Sequence, residues 1–346
     1  MKAAVFSGPP GSWPGKPLAV EQVPTPTPGP GELLVRVAAC GLCRTDLEHL
    51  KEGMRPLREP PLILGHETSG TVAGAGAGVA GFREGDPVLV ACFAPCNRCS
   101  YCQEGRDNLC PNADIPGGNR DGGLAEYVVV PAAGVFPLPR GSPVQESAVL
   151  ADAFATPYHA LVGVGHMRSG ESVAIYGASG GLGLAAVQIA SALGGAVVGI
   201  GRQPWKLERA LGMGARAVVS TSEFPRPEAE VNRLTGGGAH LSLDATGAPE
   251  MIAAACRATR PGGRIVVMGY GVKEVTVPLH RLMWLEYAVL GSRTYRLADL
   301  ASLLTLVEQG QIHPGSIVSH RFPLDQVNQG YKMLEEGRVL RAIVIP

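Results

Sequence analysis

The chain has 346 residues, and its 30 basic side chains balance 30 acidic ones, for a formal net charge of zero with neutral histidine. That balance, with no basic block or stripe, argues against nucleic acid or an anionic membrane surface as a partner. Glycine (47) and proline (29) are frequent, but they punctuate apolar runs instead of forming a low-complexity tract, so disorder is not expected and no internal repeat is visible. At roughly 100–200 residues per domain, the length suits two domains. No apolar run is long enough to span a bilayer, and "MKAAVFSGPP" lacks the apolar stretch of a signal peptide. A reduced cytoplasmic protein is expected.

In chain order, the first half reads as short strands divided by Gly/Pro turns: "PGPGELLVRVAACGLC", "HETSGTVAGAGAGV", "GDPVLVACFAPC" and "DGGLAEYVVVPAAGVFPLP". Near residue 150 the character changes, and "ESAVLADAFATPYHALVGVG" has the small-residue pattern of a buried helical connector. Strands then alternate with helices through "SVAIYGASGGLGLAAVQIASALGGAVVGIGRQPWKLERALGMGA" and "LSLDATGAPEMIAAACRATRPGGRIVVMGYG". This spacing predicts a parallel sheet with helices on both faces. The apolar stretch "VTVPL" near 275–279 reads as a further strand, either buried or contributing to an oligomer contact. The tail returns to amphipathic helices and a last apolar strand, so the α/β domain is inserted between two parts of a β-rich one.

Three sets of residues carry chemistry. The run Gly177, Ala178, Ser179, Gly180, Gly181, Leu182, Gly183 follows the strand "SVAIY" and opens a helix. Glycines there let the backbone approach a pyrophosphate, and the helix N-terminus offers free N–H groups, so a dinucleotide site is expected. At the end of the next strand, where a carboxylate would bind the adenosine ribose of NAD, stand Gly201 and Arg202, with Lys206 close behind. Cations without a carboxylate favour NADP(H) over NAD(H).

Second, Cys96, Cys99, Cys102 and Cys110 form a C-x2-C-x2-C-x7-C pattern. Cysteines this close are poorly placed for disulfides, whereas four thiolates suit a closed tetrahedral zinc of structural type. Third, Cys43, His66 and Asp152 offer sulfur, nitrogen and oxygen ligands of the kind found at catalytic zinc. They lie far apart in sequence, and their chemistry alone leaves open whether they converge.

The chain resembles the zinc-dependent medium-chain alcohol dehydrogenase family. "CGLCRTDLE", "GHETSG", "VAGAGAGVAGFREGDPVLV", the cysteine cluster, "DGGLAEYVVVP", "GASGGLG" and "SLDATG" occur in the family's order and span essentially the whole chain. The resemblance implies a GroES-like catalytic domain (about 1–152 and 289–346) around a Rossmann domain (about 153–288). It implies one catalytic zinc on Cys43, His66 and Asp152 and one structural zinc on the four clustered cysteines. Glu67 matches a glutamate that approaches the metal, and Asp46 a carboxylate that orients the ligand histidine. Arg44 and Arg341 match residues against the cofactor pyrophosphate, Thr156 one that borders the nicotinamide, and Gly269 and Tyr270 the backbone that meets its carboxamide.

The implied reaction is hydride transfer between NAD(P) and an alcohol/aldehyde or alcohol/ketone pair, with Thr45 accepting the hydroxyl proton. Relatives often carry a histidine five residues after the ligand cysteine as the end of this relay. Here that position is Glu48, with His49 next, so the relay could end at either or at water. Two alternatives stay open: reduction of an activated C=C bond, and a cofactor-binding protein without turnover. Phe93, Ile115 and Trp284 are candidates for the substrate pocket, with ordinary core the plainer reading of each. A homodimer or homotetramer is implied.

Overall fold

A computed structural model describes residues 1–14 and 18–346. The chain divides into two compact units: Met1–Asp152 with Arg296–Pro346, and Ala153–Tyr295.

In the first unit the strand Glu32–Gly41 is central. It pairs antiparallel with Glu67–Ala75, with Tyr127–Pro131 and, at its end, with the last strand Arg341–Ile345. Pro87–Val90 and Val135–Pro137 extend the sheet on one side, and Val318–Pro323 joins the last strand on the other. The strands alternate buried aliphatics with more exposed residues, and Leu33, Val35, Val72, Val88, Val128 and Val130 form one core. A second core, built on Phe6, Leu42, Leu47, Leu50, Phe322, Val327 and Tyr331, gathers Lys2–Phe6, the short helix Arg44–Leu50 and the helix Val327–Glu335. The C-terminal segment is thus part of the first unit's interior.

The second unit has six parallel strands: Ser172–Tyr176, Ala196–Gly201, Ala217–Ser220, Ala239–Asp244, Thr259–Val267 and Ala288–Gly291. Numbered in that sequence, their spatial order is 3-2-1-4-5-6, the doubly wound arrangement of a Rossmann domain. Their Val/Ile/Ala-rich runs suit strands covered on both faces. Three of the helices, Pro204–Gly212, Pro227–Thr235 and Pro249–Ala258, open on proline, where the missing N–H has no intrahelical acceptor to lose.

Two sequence expectations change. "VTVPL" is no strand: the chain there is irregular and runs through Pro278 into the helix Leu279–Trp284. The sixth strand is Ala288–Gly291, which takes the position beside Thr259–Val267. The same strand carries the second unit past residue 288 to Tyr295.

Candidate functional site

Strand register assembles the first cluster. Gly41 lies opposite Glu67 on one side and Ile343 on the other. Arg341, two residues before Ile343, faces the same way. A Cβ at Gly41 would overlap the Glu67 carboxylate, so glycine makes the space that this buried acid fills. Arg341, itself buried, donates from Nε to Glu67 Oε2 at 3.1 Å and pairs through its second guanidinium nitrogen with Oε1. Just past the strand, Cys43 is the N-cap of the helix Arg44–Leu50. His66 comes in one residue before the strand Glu67–Ala75, and Asp152 follows a 3-10 turn, Glu146–Ala151.

One donor atom each from Cys43, His66, Glu67 and Asp152 lies within 4.8 Å of the others. Cys43 Sγ is 3.6 Å and His66 Nε2 is 3.8 Å from Asp152 Oδ2. The other ring nitrogen, Nδ1, lies 3.5 Å from Asp46 Oδ1. Burial works against a charged His66, yet Cys43, Asp46 and Asp152 outweigh it and push the imidazole well above its usual range. Burial likewise opposes an ionised Asp46, but His66, the Tyr331 hydroxyl and the Cys43 N–H hold it below the usual carboxylate range. Anionic donors crowded around one imidazole fit a divalent cation, which would take the place of the proton.

The second cluster is also gathered. The eight cysteines are free thiols, and the four sulfurs of Cys96, Cys99, Cys102 and Cys110 lie within 4.8 Å of one another. Cys99 and Cys102 are 3.4 Å apart and Cys96 and Cys102 4.0 Å. A tetrahedral thiolate site with bonds of about 2.3 Å has sulfur–sulfur edges of about 3.8 Å, so the geometry fits zinc. The backbone N–H of Arg98 leads in lowering Cys96 to about 6, while burial pushes Cys102 up to about 12. One cluster member therefore favours the thiolate even without metal.

The glycine run occupies the carboxyl end of the first Rossmann strand. Gly177 has φ +89°, and its N–H and that of Ala178 both donate to the Ile200 carbonyl. A Cβ on Gly183 would strike the Gly177 carbonyl, so the helix Gly181–Ala192 starts tight against the turn. Ser179 lies beside Gly201, where a Cβ would come 2.8 Å from its Oγ. Arg202 is exposed, and the buried Lys206 holds its ammonium 5.2 Å from the Trp205 ring centroid. Burial, then Arg202, lowers the Lys206 pKa. Gly269 packs on the loop of Thr246 and Gly247 so closely that a Cβ would overlap its backbone, and Tyr270 is largely exposed. Thr156 is buried in the short helix Ala155–Tyr158.

Arg44 is exposed and pairs with Glu52 at 3.3 Å. Of the pocket candidates, Phe93 is buried, Ile115 is half-buried and Trp284 is 79% exposed.

Sequence reading missed four residues. Tyr331 donates to Asp46 Oδ2 at 2.9 Å across 285 residues of chain, and Gly41 makes the space for Glu67. Asp244 binds the N–H groups of Thr246 (3.2 Å) and Gly247 (2.9 Å), shaping the loop beside the glycine turn. Asp107 accepts the Leu297 N–H at 3.2 Å. Only Asp244 had a local signal, the D-x-T-G turn.

Among the described residues, no helix is long and apolar enough to cross a membrane. Residues 29–140 match the family model of the alcohol dehydrogenase GroES-like domain, and residues 181–309 that of the zinc-binding dehydrogenases. The chain is 35% identical to the D-arabinose 1-dehydrogenase (NADP(+)) of Saccharolobus solfataricus over 94% of its own length and 93% of that protein's. It is 30% identical, over the full length of both, to the acryloyl-coenzyme A reductase of Sulfurisphaera tokodaii. The crystal structure of an NAD-dependent alcohol dehydrogenase superposes over the whole of both chains with a TM-score of 0.93 at 35% identity. The chain belongs to the zinc-dependent medium-chain dehydrogenase/reductase family and is an NAD(P)-dependent oxidoreductase with a GroES-like and a Rossmann domain.

Proposed function

We propose that the enzyme interconverts an alcohol and its aldehyde or ketone, using one zinc held by Cys43, His66 and Asp152, with Glu67 beside it, and a second zinc held by the four clustered cysteines. The observation that carries this reading is the convergence of the Cys43, His66, Glu67 and Asp152 donor atoms within 4.8 Å. When bound, the metal would supply Lewis-acid polarisation of the substrate oxygen and the nicotinamide would supply or accept the hydride. The chain's own residues handle the proton and the charges. Arg341 neutralises Glu67, which keeps a buried carboxylate beside the ligands without adding net charge. Thr45 Oγ1, 3.7 Å from Cys43 Sγ, takes the hydroxyl proton. Glu48 follows one turn along the same helix face and receives it. His49 Nδ1 donates to the Met54 carbonyl at 2.9 Å, which leaves its Nε2 with the lone pair, so His49 stays the alternative end of the relay.

NADP(H) is the proposed cofactor. Arg202 and Lys206 stand where a carboxylate would select NAD, and one relative is named for NADP(+). Arg202→Ala is expected to lower kcat/KM for NADPH about tenfold, equivalent to about 1.4 kcal/mol, and to leave NADH nearly unchanged. The enzyme is proposed to act as a homo-oligomer in the cytoplasm. Among the described residues no strand lies beside the outer edge of Ala288–Gly291, and exposed Val289, Leu279, Met283 and Trp284 lie on that strand and the helix just before it. Eight free cysteines suit a reducing compartment.

The test follows oxidation of NADPH and NADH in parallel against aldehydes, ketones and enones. Carbonyl turnover that disappears in Asp152→Ala while cofactor still binds supports the proposal; retained turnover in that variant refutes the metal assignment. Oxidation with enones alone would instead favour the C=C reductase reading, which the acryloyl-coenzyme A reductase relative brings forward.

A further inference from the structure

The helix Val327–Glu335 reaches the metal-side cluster through a single oxygen. Tyr331 is fully buried in the core it shares with Leu42, Leu47, Leu50 and Phe322, and Trp13 meets its ring edge-on at 6.5 Å between centroids. Phenylalanine would fill that space equally well. A buried hydroxyl is costly unless it is bonded, and this one donates to Asp46 Oδ2 at 2.9 Å. The same oxygen accepts the Cys43 backbone N–H at 3.2 Å. Two donors from different elements therefore fix Oδ2, one from the cap of Arg44–Leu50 and one from the C-terminal helix. With Oδ2 fixed, the plane of the carboxyl is fixed too, and Oδ1 is aimed at His66 Nδ1, 3.5 Å away. A proton held on Nδ1 by that carboxylate leaves Nε2 as the lone-pair nitrogen, the one beside Asp152 and Cys43.

We infer that Tyr331 is a positioning residue for the His66 ligand, acting through Asp46, so that the C-terminal helix sets how firmly the site holds its metal. This rests on the metal-centre reading above. Full-length protein loaded with zinc is challenged with a chromogenic chelator, and release is resolved into phases. His66→Ala identifies the phase that belongs to this site. In Tyr331→Phe that phase should accelerate about tenfold or more, while release from the four-cysteine cluster keeps its rate. Asp46→Asn should accelerate it as well, and Tyr331→Phe should then add nothing in the Asp46→Asn background, because both changes cut one chain of contacts.

Wild-type release from Tyr331→Phe overturns the inference and leaves the metal centre standing. Additive effects in the double variant, or loss of fold by circular dichroism in Tyr331→Phe alone, would make the hydroxyl a packing group and overturn it too. If His66→Ala removes no phase, no metal sits there, and the inference falls together with the reading beneath it.

Discussion

Glu48 shows how much one side chain's chemistry depends on its surroundings. In the sequence it is a glutamate where relatives often place histidine. In the structure it is buried, and burial, then Glu52 and Asp46, push its carboxyl up to about 7 against the pull of Arg44. A glutamate poised there can take a proton near neutrality, as the histidine would. The sign for stability follows from the raised value. The folded state favours the protonated form, so Glu48 costs nothing below about pH 4.5 and progressively destabilises as pH rises through about 7. Melting curves should show Glu48→Gln matching wild type near about pH 4.5 and gaining stability over it toward about pH 8. A constant difference across that range would mean that Glu48 does not titrate as described. The same substitution should slow alcohol oxidation at neutral pH, since glutamine accepts no proton. The C-x2-C-x2-C-x7-C spacing and the Gly177–Gly183 run were legible because each motif lies within one stretch of chain. Tyr331, Gly41 and Arg341 were not legible as partners of the metal-side residues, because nothing local marks them.

At the scale of elements, the four-cysteine loop is tied to the helix Leu297–Glu308, distant in sequence but in the same unit. Asp107, within the loop, accepts the Leu297 N–H at 3.2 Å and so serves as a cap supplied from outside the helix. Replacing a helix cap by alanine costs about 1 kcal/mol. Asp107→Ala, or breaking the four-cysteine set with Cys99→Ser, should therefore speed hydrogen exchange at the first amides of that helix. The central sheet of the first unit should keep its protection. Uniform acceleration over the whole unit would show the loop to be a general staple instead of a specific tie. The strands and helices of the Rossmann domain were readable from alternating apolar periodicity. "VTVPL" misled on composition alone: the position beside Thr259–Val267 goes to Ala288–Gly291, and Pro278 instead caps a short helix.

For the whole molecule, the sheet order leaves one long-range consequence. Among the described residues the sixth Rossmann strand ends the sheet with an unpaired edge, and Val289 is exposed on it. An apolar free edge favours pairing with a second copy, and a charge there opposes it. Val289→Lys should lower the oligomeric state in sedimentation velocity while the melting of the isolated chain stays close to wild type; unchanged assembly would place the contact elsewhere.

The sequence alone determined the class of chemistry. A glycine turn after a strand, a four-cysteine loop and an ordered series of short motifs are local patterns, and they suffice for a Rossmann domain, a gathered four-cysteine cluster and a dehydrogenase family. Tertiary structure decided the rest. Strand register placed Gly41, Glu67 and Arg341 side by side, and a 3-10 turn brought Asp152 to Cys43 and His66. The C-terminal helix supplied Tyr331 to Asp46. Convergence of this kind is set by pairing and packing between segments as much as 285 residues apart, and no spacing along the chain encodes it.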